Sequence, residues 1–151
     1  MTEQEARDAI AAANQKIRML RSEQDQLWRK DWDTRSEDPD KQRIRKRLSE
    51  IWNASTKHAS GQLPEAKQEL ALAEATLVFV CAPKVIGIPA LDGMVFIRGT
   101  KKYVILRSSP TKELRVCMET GEVKGDIRTR LDAVSLQSLQ ALSNTLEKRT
   151  Q

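Results

Sequence analysis

The chain has 151 residues, a length that suits one domain and can bury roughly 68–70% of its unfolded surface without disulfides or metal. Apolar residues make up 39% and charged residues 31%, which excludes a wholly disordered chain. Aromatics at 4% point to an elongated or split core, and a net charge of +5 turns attention to acidic partners.

The longest apolar run, 75–83, falls far short of the roughly 18–20 residues of a membrane span, so no membrane contact is expected. The opening Thr2-Glu3-Gln4-Glu5 is acidic where a signal peptide is basic, and the expected location is cytoplasmic. Cys81 and Cys117 suit a reducing compartment as packed thiols. Together with the single histidine, His58, they are too few and too scattered for a structural zinc site. The six glycines form neither a phosphate-binding loop nor a dinucleotide fingerprint. The sequence thus predicts no metal and no cofactor. It predicts no catalysis either, because no spacing brings Asp31, Asp33, His58, Cys81 and Cys117 together.

Residues 3–30 read as one helix. Ala6, Ile10, Ala13, Ile17, Leu20, Gln24 and Leu27 follow alternating spacings of four and three, a heptad seam. Turn chemistry around Pro39 breaks it. A second helix is expected over 41–58, with Asp40 as its cap and Ile44, Leu48, Ile51 and Ser55 on one face. Gly61 ends it, and Pro64 opens a third helix to about residue 75. The β-branched tail 76–81 is then open to a strand. Beyond it, 94–98 and 103–107 read as a hairpin, 114–118 as a third strand and 122–127 as a fourth. A last helix over 132–148 sets Leu136, Leu139, Leu142 and Leu146 on one face to cover the sheet. The expected class is α+β: a helical hairpin or coiled-coil arm over 1–62, then a small α+β module over 63–151 with three or four antiparallel strands and a C-terminal helix.

Charge is unevenly spread. Residues 1–40 carry seven basic and ten acidic side chains, 41–58 six basic and one acidic, and 92–130 nine basic and five acidic. Lys41, Arg43, Arg45, Lys46 and Arg47 at helical spacing suit phosphate contact, displacing counterions from a nucleic acid backbone. Arg98, Lys101, Lys102 and Arg107 extend the patch from the hairpin, and Tyr103 offers a stacking surface. The competing reading is a solvated helix face neutralised by the acidic loop before it; an acidic protein partner is a third.

Trp28 and Trp32 lie one helical turn apart, and Trp52 could meet them across the hairpin. They read either as an aromatic cluster locking the helices or as binding anchors. Asp31-Trp32-Asp33 reads as a solvated helix end more than as a metal-site fragment. The seam likewise has two uses, packing within the chain or pairing with a second copy, where Gln24 would set register. An oligomer or partner interface is assigned to Ile10, Ile17, Leu20, Gln24, Leu27, Trp28, Trp32 and Trp52. The functional expectation is a small regulator or inhibitor that docks through its arm and contacts nucleic acid, or a complex that handles it, through the basic helix and hairpin. The alternative is a coiled-coil adaptor that binds only protein.

Overall fold

Thr2 begins the first helix with a reciprocal cap: its hydroxyl accepts from the Glu5 backbone N–H, and the Glu5 carboxylate accepts from the Thr2 backbone N–H. In the computed structural model, which describes residues 1–55 and 57–150 apart from the side chains of 147–150, this helix is α1 (Glu3–Asp33). Its 31 residues extend about 46 Å. The heptad seam is its buried stripe. Ala6, Ala13, Ile17 and Leu20 are buried, and Ile10, Gln24 and Leu27 are half-buried.

Helix α2 (Pro39–Ile51) is capped by Asp38, two residues before the expected Asp40, and ends well short of residue 58. The cause lies in 52–60. Trp52 is extended, Asn53 and Ser60 exchange backbone hydrogen bonds of 2.8 and 3.0 Å, and the Asn53 side chain accepts from the Ser55 N–H. Asn and Ser chemistry thus offers the backbone an alternative to helix. Gly61, at φ +113°, then passes so close to the Ile51 and Glu50 carbonyls that a Cβ would sit 2.7 and 2.8 Å from their oxygens.

Helix α3 (Gln62–Cys81) takes in the run 76–81, which the sequence left open to a strand. The Ala/Leu-rich run before it is already helical, each added residue gains a bond, and no breaker occurs until Pro83. Ala82 N–H still donates to the Val78 carbonyl at 3.0 Å. The β preference of Val78 and Val80 is a weak, context-dependent term beside this.

The chain forms two compact units, Met1–Glu74 and Ala75–Gln151. In the first, Ile17 and Leu20 of α1, Ile51 of α2, and Leu63 and Ala66 of α3 form the core. In the second, a single 3₁₀ turn (Pro89–Leu91) leads into β1 (Val95–Gly99), β2 (Tyr103–Ser109), β3 (Lys112–Cys117), β4 (Glu122–Lys124) and β5 (Thr129–Arg130). These pair in sequence order as an antiparallel meander. The run expected as one strand at 122–127 is cut by Gly125, whose φ of +152° turns the chain into the short fifth strand. The fold is therefore α+β, helices first, then the sheet, then α4 (Ala133–Thr150).

Register sorts the sheet's side chains. Phe96 pairs with Leu106 and Leu106 with Leu114; Val104 pairs with Val116 and Val116 with Val123. All are buried on the face that Leu139 of α4 covers, each such side chain contributing about 1.5–3 kcal/mol. Helix α4 meets β1 where Gly99 lies against Ser143, with no room for a Cβ. The alternate residues of the strands occupy the other face. Among the described residues, no helix is long and apolar enough to cross a membrane.

Candidate functional site

The basic segment of α2 turns most of its charge toward its own hairpin. Lys41 Nζ donates to the carbonyl oxygens of Asp31 and Thr34, each at 3.1 Å, and lies 4.0 Å from the Asp31 carboxylate. Arg45 Nε donates to Asp31 Oδ1 at 3.3 Å. Asp31 is thereby buried between two cations, neither a solvated helix end nor part of a metal-site fragment. Arg47 grips Glu23 with two parallel bonds of 2.7 and 2.9 Å and reaches Glu50 at 3.4 Å. The Arg47 hydrogen bonds hold the Glu23 carboxyl below its ordinary pKa, and Glu23 in turn raises that of Arg47. Arg43 stands 3.7 Å from Asp40, both well exposed. Lys46 alone has no ion pair among the described residues. Three of the five cations are thus occupied in joining α2 to α1 and its end.

The outer face of the sheet is different. Arg98 pairs with Ile105, Ile105 with Arg115, and Arg115 with Lys124, one row across β1 to β4. The row spans about 14 Å at the backbone. Ile105 is buried, while Arg98, Arg115 and Lys124 are exposed. Tyr103, 42% exposed, is on the same face, with the Arg115 guanidinium 5.3 Å from its ring centre. Lys101 and Lys102 are exposed in the turn before Tyr103. None of these five cations has a carboxylate partner among the described residues. Arg107 does, with Glu113 at 3.9 Å, as does Lys112 with Asp126 at 3.8 Å.

Arg98, Lys101, Lys102 and Tyr103 therefore share the sheet unit as the hairpin reading expects, with Arg98 and Tyr103 on its outer face. Arg115 and Lys124 join that face without having been foreseen. The alternation in 114–118 placed Arg115 opposite the core side, but only the pairing register puts it beside Lys124 and under Tyr103. The basic helix and this face belong to different units.

The tryptophans are not a buried cluster. Trp28 is 54% exposed, Trp52 48% and Trp32 89%, and the hairpin's core is aliphatic instead. Trp28 and Trp52 line one cavity of about 290 Å³ with Gln24 and Leu48; Trp32 is not part of it. Of the other residues assigned to an interface, Ile17 and Leu20 pack within the chain and half-buried Leu27 packs against them, whereas Ile10 and Gln24 keep part of their surface.

No group of three or more His, Cys, Asp or Glu side chains is placed to hold a metal ion among the described residues. Asp31 and Cys117, two residues considered for catalysis, lie in different units. The Cys117 thiol has a lowered pKa, through hydrogen bonding to the Thr120 hydroxyl first and to the Thr120 and Glu119 backbone next. Compared with protein-family models, curated proteins and solved structures, the chain matches none.

Proposed function

We propose that the protein is a non-catalytic binding protein that holds single-stranded nucleic acid on the outer face of its five-stranded sheet. The observation that carries this reading is the row Arg98, Arg115, Lys124. Arg115 and Lys124 are direct cross-strand partners of like charge, an arrangement that destabilises a sheet, and neither makes an ion pair with a carboxylate among the described residues. A polyanion laid across the strands supplies the missing charge. Phosphates release counterions as they meet the arginines and lysines. Tyr103 adds a ring on which an unpaired base stacks, worth about 1–3 kcal/mol per base. Duplexes keep their bases stacked inside, so an aromatic on an open sheet favours single strands.

This moves the nucleic-acid contact away from the basic helix, whose cations support hairpin packing. The helical unit is left for protein contact, in keeping with a regulator that docks through its arm. The two free thiols suit a cytoplasmic setting.

Anisotropy of a labelled single-stranded oligonucleotide tests the reading. Arg98→Glu with Arg115→Glu weakens binding about tenfold or more, whereas Arg43→Glu with Lys46→Glu changes it much less. Loss of binding in the α2 variant, with none in the sheet variant, would return the site to the helix. Binding that neither substitution affects, or no binding at low salt, favours the adaptor that contacts only protein.

A further inference from the structure

We infer that the helical unit carries a docking groove for an acidic peptide segment of a partner protein, one that presents large apolar side chains between its carboxylates. The groove consists of two adjoining cavities of about 370 and 290 Å³ that share Gln24 and Trp52 as walls. Both volumes sit near the low end of the roughly 300–1,000 Å³ typical of small-molecule pockets, and two sockets side by side suit successive side chains of a peptide.

Three features define the occupant. The first is apolar lining. Leu48 contributes to one cavity, and Leu63 and Pro64 to the other. Trp28 and Trp52 stand over them with about half their surface in water. Half-exposed tryptophans beside arginine are the residue types that dominate binding energy at interfaces. The second is charge. Arg45 lines one cavity and Arg21 and Lys67 the other, and among the described residues no carboxylate lines either. Arg45 is partly engaged by Asp31, but Arg21 and Lys67 have no ion pair among the described residues. The third is contrast with the sheet face. There the cations surround an exposed tyrosine ring; here they rim hollows with aliphatic lining. Aliphatic sockets with a basic rim suit the apolar and acidic side chains of a peptide better than they suit sugar and phosphate.

Panning a phage-displayed random peptide library against the full chain tests the inference, followed by NMR titration of the enriched peptide. The expected peptides combine aspartate or glutamate with leucine, phenylalanine or tryptophan. Their addition shifts the indole N–H signals of Trp28 and Trp52 and leaves that of Trp32 in place. Arg21→Glu with Lys67→Glu, two surface changes checked for folding by circular dichroism, weakens the peptide about tenfold or more. Should that variant not fold, the unequal shifts of the three indoles still decide. The inference is overturned if no acidic peptide is enriched, if Trp28 and Trp52 do not respond to the peptide, or if a single-stranded oligonucleotide moves those two indoles and the peptide does not.

Discussion

Arg115 on β3 and Lys124 on β4 stand directly opposite each other, two cations paired across adjacent strands with no carboxylate partner among the described residues. Like charges in that position cost a sheet roughly 0.2–1 kcal/mol. Lys124→Glu therefore raises the stability of the sheet unit by an amount of that order, seen as a higher urea midpoint, and at the same time weakens single-strand binding. A variant that loses stability, or that gains it and binds as before, contradicts the functional role given to the pair.

The Arg47–Glu23 clamp makes helical-unit stability depend on pH with a defined sign. The Glu23 carboxyl is held below its ordinary value of 4.5 by the Arg47 hydrogen bonds, so the folded state binds its proton less readily than the unfolded state does. Its contribution is complete above that ordinary value and is lost as pH falls through the lower folded pKa. Both partners are partly exposed, which limits the pair to about 1 kcal/mol or less. Glu23→Gln lowers stability modestly at neutral pH and flattens the acid limb of the stability profile. An acid limb identical to wild type would place the titrating group elsewhere.

Gly61→Ala tests the turn that ends α2. The added Cβ meets two backbone oxygens, and φ of +113° is strained for any side chain. The expected loss is about 1–3 kcal/mol, read from thermal or urea unfolding. Gly87→Ala, also at positive φ but with open space around it, carries the conformational cost without the clash and loses less.

Much of this was legible in the residues, for reasons that differ by element. The α1 seam was plain because about six turns of uninterrupted helix repeat one pattern, and the same residues are the buried stripe. The hairpin at 95–109 was plain because Gly99 and Lys101-Lys102 separate two β-branched runs. The end of α2 was not, because Ser55 keeps the helical spacing while Asn53 and Ser60 close a turn across it. Arg115 and Lys124 were missed for a related reason. Each looks like an ordinary outward residue of its own strand, and their pairing depends on the β3–β4 turn, whose register neither strand encodes. The internal use of Lys41, Arg45 and Arg47 depended on how α1 and α2 face each other, with Glu23 twenty-four positions away from its arginine.

Cys117 gives a chemical check on the β3–β4 turn. The Thr120 hydroxyl lowers the thiol pKa, so in a Cys81→Ser background alkylation of Cys117 sets in at lower pH than for an ordinary thiol. Thr120→Val shifts the onset upward. An onset unmoved by that change would mean the hydroxyl does not reach the thiolate in solution.

The salt dependence of single-strand binding tests the central claim most directly. If Arg98, Lys101, Lys102, Arg115 and Lys124 all meet phosphates, the logarithm of affinity falls with the logarithm of salt at a slope of roughly −3.5, about −0.7 for each contact. Arg115→Glu then gives both weaker binding and a shallower slope. A slope near zero, or one that Arg115→Glu leaves unchanged along with the affinity, would contradict the assignment of the sheet's outer face as the nucleic-acid surface.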